Sequence, residues 1–486
     1  MPLRRITVQA PEHPTDTQVP ATAALQQRFA AIREENGVPD SFPPEVVAEA
    51  ERAATAPTLP DRDETDVPYL TIDPAGSMDL DQAMHLERDG DGYRVRYAIA
   101  DVPAFVAAGG AVDTEARRRG QTVYAPDKRT PLHPPVLSES AASLLPGQVR
   151  PAFVWDLRLD AVGECTAVEV RRALVRSTDR LDYAGVQSAL DDGSADERLQ
   201  LLKEVGLLRV ELERKRGGAS LPMPEQEVSE DEQGHFRLGF RPPLEVEDWN
   251  AQISLMTGMA GAELMLGAKV GILRTMPAPD ERAVRRFRHA ARALGVEWQE
   301  GTAYGEFLRT LDRDNPKHLA LIHEATALFR GAGYTPFDGD TPAETEHAAV
   351  AAAYAHVTAP LRRLVDRFGL VVCEAVSQGR EVPGWVREAL PGLPEVMAAS
   401  DKVAAGVERA CADAVEAAAL ADRVGQEFRA MVVDERDNEH VQIQIDDPAV
   451  LGRASGAAEL GTWVTVRLVE ATVATGVTRF EVVAPA

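Results

Sequence analysis

Hydrophobic residues first recur at helical spacing at Leu25, Phe29 and Ile32, which share one face of the segment 21–36. Gly37 closes that helix. Ser41-Phe42-Pro43-Pro44 opens a second over 45–54, with Ser41 as candidate cap and a proline in the first turn. Residues 1–20 are polar and proline-bearing and read as an extended arm; the charged stretch 57–67 reads as a linker. From Tyr69 the period changes to two. Residues 69–72 and 93–100 read as strands, the second preceded by the turn Asp89-Gly90-Asp91-Gly92, and 154–159 with 167–175 as a further pair. Segments 111–119 and 181–215 return to helical spacing, and helices dominate from 245 to 422, ending in the alanine-rich run 401–422. Four short strand patterns follow at 428–433, 441–445, 463–469 and 480–483. So many strands in so small a unit predict a five-stranded OB-type barrel, a common oligonucleotide holder. The expected class is α+β and multidomain. It comprises a helical module at 1–60, with helix-turn-helix one arrangement open to it, a mixed α/β unit at 61–422, and an OB-fold barrel at 423–486.

A chain of 486 residues, 44% of them hydrophobic, has the length of about three domains and ample apolar surface for their cores. No apolar run approaches the ~20 residues of a membrane span. The two N-terminal arginines have no apolar stretch behind them, so no secretory leader is expected. Cys165, Cys373 and Cys411 are scattered and form no CxxC pair, which excludes a zinc ribbon or disulfide framework and points to a reducing cytoplasm. The net charge of −25 argues against a protein that coats nucleic acid non-specifically. It leaves room for an enzyme with a local basic channel on an acidic body. Basic clusters occur at Arg117-Arg118-Arg119, at Arg214-Lys215-Arg216, and at Arg362-Arg363 with Arg367; each alone reads as a solvated helix face.

The chemistry concentrates in TIDPAGSMDLDQA at 71–83, where Asp73, Asp79 and Asp81 share a loop broken by Pro74 and Gly76. Two like charges about 4 Å apart cost on the order of 4 kcal/mol at an effective dielectric near 20. Carboxylates that converge therefore need a cation among them, or must hold protons. Oxygen ligands with one or two carboxylates per ion suit Mg²⁺ or Mn²⁺, which commonly act on phosphates. On spacing alone a solvated acidic turn remains the other reading.

With its flanks, this segment resembles the catalytic signature of the ribonuclease II (RNB) family of exoribonucleases. YAIADVPAFV, VDTEARRRGQTVYAPD, PLHPPVLSESAASL and YAHVTAPLRRLVDR are similar to the family's later blocks, in order and at similar spacing. The resemblance covers about 69–422, with the barrel as the usual tail. It implies a metal-dependent 3′→5′ exoribonuclease, using Mg²⁺ or Mn²⁺, that threads single-stranded RNA and releases 5′-mononucleotides. Asp73, Asp79 and Asp81 match metal-site carboxylates. Arg362 matches the arginine on the scissile phosphate, Tyr124 the tyrosine that stacks on the terminal base, and Tyr183 a tyrosine near the RNA path. His85, His133, His347 and His356 are too scattered for a histidine metal site and read as structural.

Departures are also legible. The fourth family aspartate is Gln82, which offers a carbonyl oxygen and no charge. The phenylalanine that faces the stacking tyrosine has Leu221 as its nearest counterpart, and the glutamate near the terminal ribose falls at Gln252. The family's two leading cold-shock barrels have no counterpart in the 68 residues before Tyr69. The helical module is expected to form the RNA entrance instead, and to admit RNA with structure behind a 3′ overhang. A monomer is expected, since threading needs one channel. The alternative function is a non-catalytic RNA-binding regulator on the same scaffold, with Gln82 its main support. A third, an unrelated metal hydrolase of small acidic substrates, leaves the barrel and Tyr124 without a purpose.

Overall fold

The structure is a computed structural model and describes residues 4–6, 17–20, 22–221, 225–230, 235–241, 243–437 and 439–485. Five strands, Tyr69–Asp73, Gln82–Asp89, Gly92–Ala100, Val149–Leu159 and Cys165–Asp182, close into a barrel in that order. Tyr69–Asp73 completes the ring by running parallel to Cys165–Asp182, Asp73 beside Asp182. Successive residues enter different cores. Val95, Tyr97 and Ile99 join Phe153, Trp155 and Leu157, whereas Ala98 and Ala100 join Ala152 and Val154. Strands buried on both faces are nearly continuous in apolar residues, which makes 93–100 legible in the sequence.

The pattern misses Gln82–Asp89, whose polar Gln82, His85 and Glu87 mask its period and which follows the carboxylate loop directly. The segment 181–215 is two helices, Tyr183–Asp191 and Glu197–Arg216, interrupted near Gly193, where φ is +77°. Among the helices after 245, the strands Val270–Thr275 and Gly333–Asp338 pair antiparallel. Ser41 is not the cap of the second helix. That helix runs Pro44–Thr55, Pro43 holds the cap position with extended ψ, and the Ser41 carbonyl accepts from Arg119.

The N-terminal arm contributes strands rather than only a tail. Arg4–Ile6 and Thr17–Val19 form the edges of a four-stranded sheet completed by Glu225–Glu230 and Phe236–Arg241; the rest of the expected arm lies mostly outside the described residues. Leu25, Phe29 and Ile32 of helix Ala23–Glu35 share a core with Phe236, with Val407 and Val415 of the long helix Leu393–Leu420, and with Val432 and Ile443. Val46 and Ala50 of helix Pro44–Thr55 enter a different core, beneath the first barrel.

A second closed barrel has the ring order Glu427–Asp437, His440–Ile445, Val450–Ser455, Val477–Pro485, Trp463–Thr472. It is the expected five-stranded barrel, with Val450–Ser455 the strand the sequence pattern missed. Among the described residues no helix is long and apolar enough to cross a membrane. Cys165, Cys373 and Cys411 are all free.

Candidate active site

Asp73 ends the first strand of the first barrel, and Asp79 and Asp81 lie in the loop that leads into Gln82–Asp89. Gly76 turns this loop at φ +81°, a conformation open mainly to glycine. Leu80, fully buried, anchors the loop between the two aspartates. The Leu80 N–H donates to Ser143 Oγ at 2.9 Å, and that hydroxyl donates to the Met78 carbonyl at 2.6 Å. Leu80 points into the core, and Asp79 and Asp81 on either side of it are held on the site.

The three carboxylates are nearly buried. Burial, and then the charge of Asp79, pushes the Asp73 pKa up to about 7. Burial raises Asp79 against the opposing pull of Arg129, and raises Asp81 well above the usual range against Arg362. Asp73 Oδ2 is buried without a hydrogen-bond partner.

Arg362 comes from the other end of the chain. Its loop, 358–363, wraps around two carboxylates. Asp366 Oδ1 accepts from the Thr358 and Ala359 N–H groups at 2.8 and 2.7 Å, and Asp81 Oδ1 accepts from Leu361 N–H at 2.7 Å. Arg362 Nε stands 3.8 Å from Asp81 Oδ2, and its side chain is 46% exposed, so its donors remain largely open. The rest of its sequence cluster is structural. Arg363 is clamped by Asp366, and Arg367, 1% exposed, is paired with Asp113.

Tyr124 lies on a hairpin tied to the same loop. Thr122 N–H donates to the Arg362 carbonyl at 2.9 Å, and Leu364 N–H to the Gly120 carbonyl at 3.0 Å. Gly120 has φ +74°, and a Cβ there would meet Ser400 at 2.6 Å, so the tie needs glycine. Burial first, then the charge of Asp79, raises the Tyr124 pKa.

The other expected site residues are placed differently. The Gln82 amide is engaged at both ends. Its carbonyl accepts from Tyr97 Oη at 2.6 Å and its NH₂ donates to the Thr358 carbonyl at 2.7 Å. Tyr183 Oη accepts from Asn250 at 3.0 Å. Gln252 is buried on helix Glu245–Ala268 and donates to Glu213 at 2.5 Å, on the neighbouring helix. Leu221 packs into a separate cluster with Phe287 and Phe307. His133 is buried, with burial lowering its pKa to about 3. Sequence reasoning missed Arg129, which donates to Asp79 and pairs with Glu139 at 2.9 Å. It falls in the three residues between two recognised blocks; the signal available was the short hairpin that sets position 129 opposite Tyr124.

Among the described residues no group of three or more histidine, cysteine or acidic side chains stands in metal-ligand geometry. The donor chemistry nonetheless suits a hard cation: the charge of Asp79 reaches both Asp73 and Asp81, and Asp73 Oδ2 is buried without a hydrogen-bond partner.

Comparison with known proteins bears on the family and the fold. The RNB domain profile matches residues 61–373, and the profile of the RNase II-type exonuclease C-terminal S1 domain matches 426–483. The chain is 30% identical over 328 residues to the probable exosome complex exonuclease RRP44 of Caenorhabditis elegans, covering 63% of this chain and 34% of that protein. It is 26% identical over 436 residues to ribonuclease R of Aquifex aeolicus (84% of this chain, 60% of the relative). The chain thus spans between a third and three fifths of these relatives' lengths. Mycoplasma genitalium RNase R, solved in complex with ribose-methylated single-stranded RNA, has the same fold, with a TM-score of 0.84 at 18% identity, covering 95% of this chain and 78% of that one. The chain belongs to the RNB family.

Proposed function

We propose that this RNB-family chain is a metal-dependent 3′→5′ exoribonuclease that degrades single-stranded RNA processively and releases 5′-mononucleotides. The observation that carries the proposal is the meeting of Asp81 with the half-exposed Arg362 beside Asp73 and Asp79. In this reading Asp73, Asp79 and Asp81 hold Mg²⁺, or Mn²⁺. A bound divalent ion lowers the pKa of a water nucleophile and stabilises charge on a leaving oxygen. The chain's own residues do the rest. Arg362 grips the scissile phosphate through paired N–H donors and stabilises charge that grows in the transition state. Tyr124 offers a stacking face to the terminal base, worth about 1–3 kcal/mol whatever the base. The nearly buried carboxylates limit water and strengthen each of these interactions. The solved single-stranded RNA complex of the Mycoplasma protein and the C-terminal S1 barrel support RNA as partner. RNA with a 3′ overhang before a structured region is the further substrate proposed, with the chain acting as a monomer in the cytoplasm.

One observation favours a second reading, a non-catalytic RNA-binding regulator: Gln82 is engaged at both ends of its amide and carries no charge. Digestion of a 5′-labelled RNA with a single-stranded 3′ tail, in Mg²⁺ and in EDTA, beside Asp81→Asn, decides between them. Metal-dependent trimming from the 3′ end, lost in the variant, supports the nuclease. Tight binding without trimming in Mg²⁺ or Mn²⁺ supports the regulator.

A further inference from the structure

Arg129 and Tyr124 are direct partners across the two-residue strands Val123–Tyr124 and Arg129–Thr130. Directly opposed residues of an antiparallel pair project to the same face, with Cβ atoms about 5 Å apart. The guanidinium and the tyrosine are near enough for each to feel the other's charge, and both feel that of Asp79. One nitrogen, Nη1, donates to Asp79, and Nη2 pairs with Glu139 Oε1 at 2.9 Å. Glu139 lies on the short helical turn Leu137–Ala141, a separate element, so the guanidinium is fixed from two sides. One of its five N–H donors is given to Asp79, and a second nitrogen is paired with Glu139. The side chain keeps 20% exposure, while Asp79 keeps 12%. With part of the side chain exposed, the remaining N–H groups are available to a further acceptor.

The site's charges point the same way. A phosphodiester that approaches Asp73, Asp79 and Asp81 is repelled unless cations line its path. Arg362 covers the Asp81 side. The Asp79 side, next to the ring of Tyr124, is covered by Arg129.

We propose that Arg129 is a second RNA-binding arginine. It steadies Asp79 through one nitrogen and gives its remaining donors to the phosphate nearest the base that rests on Tyr124. This rests on the exoribonuclease reading for the direction in which RNA lies, and its test is built on binding so that the two are separable. Arginine suits the task because its planar fork engages a carboxylate and a phosphate at once, which a lysine ammonium does poorly.

The experiment measures binding of a fluorescein-labelled oligoadenylate to the full chain in EDTA, by anisotropy over a salt series. It compares wild type with Arg129→Gln, Arg129→Lys and Glu139→Gln. Steady-state kinetics in Mg²⁺ accompany it, and thermal melts confirm folding. Arg129→Gln is expected to weaken binding about tenfold and to lower the slope of log Kd against log salt by about 0.7, the loss of one phosphate contact on a single strand. KM is expected to rise. Arg129→Lys is expected to restore the salt slope with only part of the affinity, and Glu139→Gln to fall between. Unchanged affinity and slope in Arg129→Gln, with kcat alone reduced, overturn the proposal and leave Arg129 as a prop for Asp79. If Arg129→Gln does not fold, Arg129→Lys decides: affinity equal to wild type overturns the proposal. A wild-type chain that binds RNA without trimming it sinks the nuclease reading while leaving this comparison intact.

Discussion

The backbone N–H of Leu361 donates to Asp81 Oδ1 at 2.7 Å, joining segments 280 residues apart in the chain. The carboxylate that leads into a barrel strand thereby sets the position of the loop that carries Arg362. One side chain does two jobs: its second oxygen faces the Arg362 guanidinium.

That division predicts the behaviour of Asp81→Asn. The amide keeps an oxygen for the Leu361 N–H, so the melting temperature is expected to move by no more than a few degrees. Trimming of RNA is expected to fall by about 10²-fold or more, since losing a charged metal ligand costs at least the ~10–100-fold of losing an outer-shell partner. A variant that loses its fold as well as its activity would show that the charge, not the hydrogen bond, holds the loop.

Arg362→Ala is expected to reduce kcat by about 10²-fold, with little effect on the fold because nearly half of the side chain is exposed. Arg362→Lys should recover only a fraction, since it loses the planar fork. Single-turnover rates at saturating enzyme separate this from weaker binding.

Ser143 ties down the carboxylate loop through one hydroxyl, which accepts from Leu80 N–H and donates to the Met78 carbonyl. Ser143→Ala leaves the buried Leu80 N–H and the part-buried Met78 carbonyl short of a partner. The expected loss is about 1–3 kcal/mol of stability. Activity should fall further than the melting curve alone accounts for, because the same bond aligns Asp79 with Asp81. Urea unfolding together with trimming rates checks both.

Acid stability should report the ion pairs on the first barrel. Burial opposes ionisation of Asp156, but hydrogen bonds and charge from Arg94 and Arg171 hold its pKa down at about 2. A carboxyl depressed in the fold stabilises it above the unfolded value of ~3.9 and ceases to as pH falls through the folded one. The contribution is therefore complete above about pH 4 and lost toward about pH 2. Asp156→Asn is expected to cost about 3 kcal/mol at neutral pH, by taking from the buried Arg171 one of its two buried carboxylate partners and leaving it Glu64 and the more exposed Glu169. Its deficit against wild type should shrink across that acid window in denaturant titrations.

His323 predicts a second pH effect, at the seam between helix Pro316–Ala325 and the C-terminal barrel. Burial lowers its pKa to about 4 despite the contact of its Nε2 with Gln444 Oε1 at 3.3 Å. A histidine depressed in the fold binds its proton more readily when unfolded, so stability is lost as pH falls from about 6.5 toward 4. His323→Gln should remove that part of the pH dependence, read as a flatter melting temperature over the same range.

Much of this architecture is written in the chain. Both barrels show in the period-two runs at 93–100, 154–159 and 441–445, because strands that face a core must alternate or stay apolar. The helices at 111–119 and 23–35 show because their buried residues return every third or fourth position. Asp73, Asp79, Asp81, Arg362 and Tyr124 stand in blocks whose order and spacing carry the family resemblance. The strands Gln82–Asp89 and Phe236–Arg241 were not legible, since interspersed polar residues such as Gln82, His85 and Glu87 in the first, and the shortness of the second, hide their period until partners are known.

What the sequence determined by itself is the set of local elements and the identity of the chemistry-bearing side chains, since both rest on residue type and short-range spacing. What only the tertiary structure decided is which of those side chains meet. Arg362 reaches Asp81 while Arg363 and Arg367 are consumed by Asp366 and Asp113. Gln82 is drawn to Tyr97 and Thr358, Gln252 is turned to Glu213, and Arg129 is brought to Asp79. The physical reason is that a charge's partner is set by distance through space, and distance between residues hundreds of positions apart is fixed by how the cores pack.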